Sequence, residues 1–232
     1  MACGYAACAR WVQCALRQAG LALVLVVATL SGSWTPVATA APAAQAGVQE
    51  QRTVLVIGDS LSAAYGLSSG QGWVAMIGER IGKEYPGWRV VNASISGETS
   101  AGGASRIIDA VARHRPDVVV IALGANDGLR GLPPQQMRIN LARMIGAAHG
   151  AGAEVLLVGM RMPPNLGAAY TREFEQSYRE LAGRFDIALL PFLLEPIALD
   201  RAAYQADNLH PNAAAQSRLR DHVWPALERL LR

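Results

Sequence analysis

TVLVIGDSLS, residues 53–62, runs an unbroken apolar stretch straight into a glycine, an aspartate and a serine. Thr53 to Ile57 show no polar alternation, so they read as a strand buried on both faces, which is the pattern of a parallel sheet. WRVVNAS (88–94), DVVVIAL (117–123), AEVLLVG (153–159) and DIALL (186–190) repeat it. Between these runs the spacing turns helical: Ile107, Ile108 and Val111 are expected on one face, as are Met137, Leu141, Met144, Ile145 and Ala148. Leu219, Val223, Leu227 and Leu230 stripe a last helix.

Strands that alternate with helices must pair in parallel, because right-handed crossovers then cover both faces of the sheet. The expected fold is therefore α/β, a three-layer α/β/α sandwich around a five-stranded parallel sheet of order 2-1-3-4-5. In that arrangement ligands bind beyond the carboxyl ends of the strands, near the switch point between strands 1 and 3. The functional residues should then lie in the loops that leave the carboxyl end of each strand.

Strand 1 is followed by Gly58-Asp59-Ser60-Leu61-Ser62, strand 2 by Ile95-Ser96-Gly97-Glu98-Thr99 and strand 3 by Gly124-Ala125-Asn126-Asp127-Gly128. Neighbouring strands lie about 4.8 Å apart, so Ser60, Gly97 and Asn126 are expected in one pocket. A serine hydroxyl needs a base to become a nucleophile, usually a histidine oriented by a third group. Three of the four histidines, His114, His149 and His222, sit at helix ends or inside the last helix and read as structural or solvated. His210 lies in Asp207-Asn208-Leu209-His210-Pro211-Asn212, where Pro211 is expected at the first helical position with His210 held extended before it. An acid three residues earlier can reach its Nδ1 and leave Nε2 free.

Taken alone, that segment also reads as a helix-entry turn with a solvent-facing histidine, and Gly97 and Asn126 as ordinary turn residues. Strand 5 should lie about 14 Å from strand 1, three strand spacings away. Residues 191–206 are long enough to carry Asp207 and His210 back across that gap. Acyl transfer also needs donors for an oxyanion, and the amides of Ser60 and Gly97 with the Asn126 carboxamide would supply three.

The ends of the chain set the context. Arg10 and Arg17 precede the apolar run AGLALVLVVATL, and Ala38-Thr39-Ala40 fits a cleavage site, so residues 1–40 read as an export signal. Residues 41–52 read as a disordered lead and 53–232 as the working domain. Cys3, Cys8 and Cys14 all precede the apolar run, so the mature chain is expected to have neither a disulfide nor a thiol nucleophile. The net charge of +3 falls to near balance once the two leading arginines are gone, and no Lys/Arg cluster points to nucleic acid.

GDSLS, the glycine of SISGETS, GANDG and DNLHPN together resemble, in order, the four signature blocks of the SGNH (GDSL) hydrolase family. VVNASISGETS, LGANDGLRG, RMPPN and DNLHPN are similar to its bacterial periplasmic branch of thioesterases, lysophospholipases and arylesterases. The resemblance implies Ser60 as nucleophile, His210 as base, Asp207 as the acid that orients it, and Ser60, Gly97 and Asn126 as oxyanion donors. It implies a flavodoxin-like fold, no cofactor and no metal. Ala125 and Asn208-Leu209 depart from that branch at positions bearing on substrate preference. The expected substrate is a small acyl ester or thioester, with transient contact to lipid or lysophospholipid.

Leu129, Leu132, Met160, Met162 and Leu166 follow strands 3 and 4 and are candidates for an acyl groove, or equally for loop packing. A carbohydrate acetylesterase is the alternative enzyme. A non-catalytic flavodoxin-like ligand-binding module is the more distant one, and it would leave the Asp207/His210 pair idle. A metal-dependent hydrolase built on Asp59, Asp127, Asp207 and His210 would be only a partial ligand set.

Overall fold

The computed structural model describes residues 51–232. The expected signal segment and most of the expected lead lie outside them. The strands are β1 (Arg52–Gly58), β2 (Trp88–Asn92), β3 (Val118–Ala122), β4 (Glu154–Val158) and β5 (Ala188–Leu190). They form one parallel sheet of order β2-β1-β3-β4-β5, the order that the strand–helix alternation predicts. The helices are α1 (Trp73–Glu84), α2 (Ser100–His114), the single-turn α3 (Ala125–Leu129), α4 (Pro134–Gly150), α5 (Ala168–Phe185) and α6 (Gln216–Glu228).

The central strands are apolar on both sides because both sides are covered. Val54, Val56, Val118, Val120, Leu156 and Val158 point to one core, which α1 and α6 close with Trp73, Ile77, Leu219 and Val223. Leu55, Ile57, Val119, Ile121, Val155 and Leu157 point to the other, closed by Ile107 of α2, Leu141 of α4 and Phe174 of α5. Burying a side chain of this size stabilises the fold by about 1.5–3 kcal/mol. Successive residues of one strand thus serve opposite layers, which is why no polar alternation marks them.

Two local expectations need correction. Ile108 is 68% exposed, while Ile107 and Val111 are buried. The buried face of α2 is set by Ser100, Gly103, Ile107 and Val111, and a step of one residue turns Ile108 about 100° away from it. Pro211 is not the first helical residue. It forms an antiparallel bridge with Tyr204, and Asn212 caps a 3-10 turn (Ala213–Ala215) that leads into α6. β5 is short because Asp186, in the left-handed conformation (φ 51°), is still closing α5. Among the described residues, no helix is long and apolar enough to cross a membrane.

Candidate active site

Ser60 stands at the first turn beyond β1. Buried Asp59 shapes that turn: its Oδ1 accepts the Leu61 N–H at 3.0 Å, and its carbonyl accepts the amides of Ser62 and Ala63. Two other elements hold the turn from outside. Trp73 Nε1 of α1 donates to the Leu61 carbonyl at 3.0 Å, and Asn92 Nδ2 of β2 donates to the Ser62 carbonyl at 2.8 Å. Ser62 is buried, so of the two serines in the opening stretch only Ser60 reaches the cleft above the sheet.

Asp207 and His210 come from the far end of the chain. The connection from β5 crosses the carboxyl edge of the sheet through two 3-10 turns, Glu195–Ile197 and Arg201–Ala203. Gln205 pins the loop at both ends: its amide donates to the His210 carbonyl at 2.8 Å, and its Nε2 donates to the Tyr65 carbonyl at 2.8 Å. His210 Nε2 lies 2.8 Å from Ser60 Oγ, and His210 Nδ1 lies 2.7 Å from Asp207 Oδ2. The other Asp207 oxygen accepts the amides of Leu209 at 2.9 Å and His210 at 3.0 Å, a tight turn that Asn208 completes with φ 55°.

The backbone amide of His210, its imidazole and the Leu209 amide together pull the Asp207 carboxyl down to about 2. An ionised carboxylate only accepts hydrogen bonds, so Nδ1 carries the ring proton and Nε2 is left to accept from the Ser60 hydroxyl. The chain of contacts is polar in one direction, from serine O–H through imidazole to carboxylate.

Gly97 and Asn126 flank the same point. Gly97 has φ 79°, a conformation that favours glycine, and Arg130 Nη2 fixes its carbonyl at 3.0 Å. Asn126 Nδ2 donates to the Glu98 carbonyl at 3.0 Å and, at 3.3 Å, to Asp59 Oδ2. Among the described residues, the Ser60 and Gly97 amides make no loop or turn hydrogen bond. Below them, Asp127 ties α2 to α3 by accepting from the Ser100 amide at 2.8 Å and from its hydroxyl at 2.5 Å, while Asn140 Nδ2 donates to the same hydroxyl. Burial pushes the Asp59 carboxyl up to about 6, against the lowering effect of the Leu61 amide.

The cleft has a volume of about 1040 Å³. Leu129, Met160 and Met162 line it, whereas Leu132 and Leu166 do not. The Leu132 carbonyl is held instead by the Tyr170 hydroxyl at 2.8 Å, and Leu166, partly buried, packs against the core that Leu141 and Phe174 close. Sequence reasoning missed other walls, notably Phe192, Leu194 and Tyr65. The Tyr65 ring lies 4.5 Å from the His210 ring, tilted by 37°. No periodicity marks these residues, since each comes from an irregular segment. The other three histidines stand elsewhere: His114 and His149 in last helical turns, and His222 with Nε2 2.9 Å from the Phe192 carbonyl. Among the described residues no three His, Cys, Asp or Glu side chains are grouped to hold a metal ion.

A parallel sheet of order 2-1-3-4-5 with GDSLS beyond its first strand and DNLHPN before its last helix has close counterparts. The chain belongs to the GDSL-like lipase/acylhydrolase (SGNH hydrolase) family, whose model matches residues 56–218. Over 180 residues it is 49% identical to the esterase TesA of Pseudomonas aeruginosa, an alignment covering 78% of this chain and 90% of that one. It is 40% identical over 183 residues to thioesterase 1/protease 1/lysophospholipase L1 of Escherichia coli strain K12, covering 77% and 85% of the two chains. The crystal structure of TesA superposes with a TM-score of 0.75 at 49% identity, covering 77% of this chain and 99% of that one.

Proposed function

We propose that this protein hydrolyses carboxylic esters and thioesters of acyl chains through an acyl-enzyme on Ser60. The observation that carries the reading is the pair of contacts on one imidazole, 2.8 Å to Ser60 Oγ and 2.7 Å to Asp207 Oδ2. His210 Nε2 takes the hydroxyl proton as Ser60 Oγ adds to the substrate carbonyl carbon, and the carbonyl π electrons move onto oxygen. That oxyanion rests on the Ser60 and Gly97 amides and on Asn126, whose long contact to Asp59 is the one it replaces. The imidazolium gives its proton to the leaving alcohol or thiol as the C–O or C–S bond breaks. Water, deprotonated by the same nitrogen, then releases the acid.

Asp207 fixes the imidazole tautomer and stabilises its cationic form. The names of the relatives, an esterase and a thioesterase/lysophospholipase, support the same chemistry. An apolar cleft of this size supports an acyl substrate over the alternatives of an acetylated sugar or a non-catalytic ligand. The substrate partner is a small acyl ester or thioester, met free or in passing contact with lipid. Residues 1–40 act as an export signal cleaved near Ala40, which puts the mature enzyme in the periplasm or outside the cell; amino-terminal sequencing of the exported protein tests this.

For the chemistry, the test is hydrolysis of p-nitrophenyl esters from acetate to octanoate, and of the matching thioesters, by wild type and Ser60→Ala. Turnover should vanish in the variant across both series. Wild-type turnover in Ser60→Ala would overturn the assignment.

A further inference from the structure

Most large apolar side chains left in water mean little singly, but several converging on one opening mean a surface built to be covered. Leu199 is 100% exposed, Tyr65 52%, Leu129 43% and Leu209 41%, and all four line the cleft above Ser60. They come from four separate segments: the loop beyond β1, α3, the turn between the two 3-10 segments after β5, and the loop that carries His210. The acidic and basic side chains lining the same cleft, besides His210, are Arg161 and Arg201, and no carboxylate lines it. Arg161 is shared with Glu175 at 3.3 Å, but Arg201 makes no ion pair and no side-chain hydrogen bond with any described residue. The acids nearest in sequence are already engaged, Asp207 by His210 and Asp200 by Arg218 at 2.6 Å.

We propose that this rim docks on an anionic lipid surface, with Leu199 entering the acyl boundary and Arg201 meeting the negative headgroups. An apolar ring edged by two arginines, one of which, Arg201, has no countercharge, suits that partner, because apolar burial and attraction to anionic headgroups then act together. A docked rim opens the cleft directly onto the layer that holds acyl chains. The inference rests on the reading of Ser60 as the reacting residue only for its purpose, since docking itself needs no chemistry.

The test uses full-length Ser60→Ala protein, sedimented with sucrose-loaded vesicles of phosphatidylcholine alone or mixed with phosphatidylglycerol. The same measurement is made with Leu199→Asp or Arg201→Glu added. The amino-terminal segment is common to every form, so only differences between forms are read. Leu199→Asp should weaken partitioning onto the mixed vesicles by about tenfold or more. Arg201→Glu should weaken it by about tenfold, with the loss specific to phosphatidylglycerol and the parent's binding reduced by salt. Partitioning equal to the parent in both variants overturns the proposal. So does a dimer in sedimentation velocity that Leu199→Asp dissociates, which would assign the rim to a second copy of the chain. Ester turnover by the Ser60→Ala parent would instead overturn the catalytic reading and leave the vesicle result standing.

Discussion

His210 Nε2 and Ser60 Oγ lie 2.8 Å apart although 150 residues of chain separate them. On the proposed mechanism the base acts only at that distance, and so each partner is useless without the other. His210→Ala and Ser60→Ala should therefore lower kcat by similar factors, on the order of 10⁴ or more, and the double variant by little beyond either. Additive losses in a double-mutant cycle would show that the two do not work as a unit. EDTA should leave the wild-type rate unchanged.

Asp207→Asn separates orientation from charge. The carboxyl, held at about 2 by the His210 amide, its imidazole and the Leu209 amide, stays ionised through the range in which esters are assayed. The acid limb of the rate profile should therefore not extend down to the titration of this group. An amide in its place favours the wrong tautomer, and kcat should fall by roughly 10²–10⁴ with little change in KM. Because its pKa is depressed in the fold, the stability Asp207 contributes is present above about 4 and lost as pH falls through about 2.

On the proposed mechanism Asn126→Ala removes one oxyanion donor and should cost about 10²–10³ in kcat, with KM nearly constant, because the donor strengthens its bond as charge develops. A rise in KM at unchanged kcat would place Asn126 in ground-state binding instead.

Asp59 should leave a mark on stability with the opposite sign to Asp207. Burial raises its carboxyl from 3.8 to about 6, so between these values the folded state holds more protons than the unfolded one. Its contribution to unfolding free energy then declines as pH rises from about 4 to 6, by about 3 kcal/mol, and stays low above that. Urea unfolding of Asp59→Asn at pH 4, 5, 6 and 7, values spaced across about that window, should lose this decline. An unchanged slope would mean that the decline comes from another group.

Gly124→Ala tests the turn that delivers Asn126. Gly124 has φ 121°, and an added Cβ would run into the Tyr178 hydroxyl, which donates to the Leu123 carbonyl at 2.9 Å. The substitution should destabilise the fold by about 2–4 kcal/mol. The corresponding fall in melting temperature is roughly 5–15 °C.

The number, direction and order of the strands were legible in the chain itself. Each apolar run is long enough for a strand and too short for a helix, and the runs of β1, β3 and β4 are unbroken by polar alternation, a pattern that is stable only between two helical layers; β2, at the sheet edge, carries exposed Arg89 and Asn92. Placing Ser60, Gly97 and Asn126 together needed only that order, since loops beyond adjacent strands are neighbours. The spacing of Asp207 and His210 was legible too, because three residues across a turn bring a carboxylate to an imidazole. The tertiary structure decided the rest. It put the irregular connection after β5 across the sheet, so that the pair meets Ser60. It turned Ile108 outward, moved Leu132 and Leu166 out of the cleft, and brought Tyr65, Leu199, Leu209 and Arg201 to its rim. The side chains brought to that rim belong to irregular segments whose direction is set by long-range contacts and not by any local period, and no pattern in the sequence records where such segments will point.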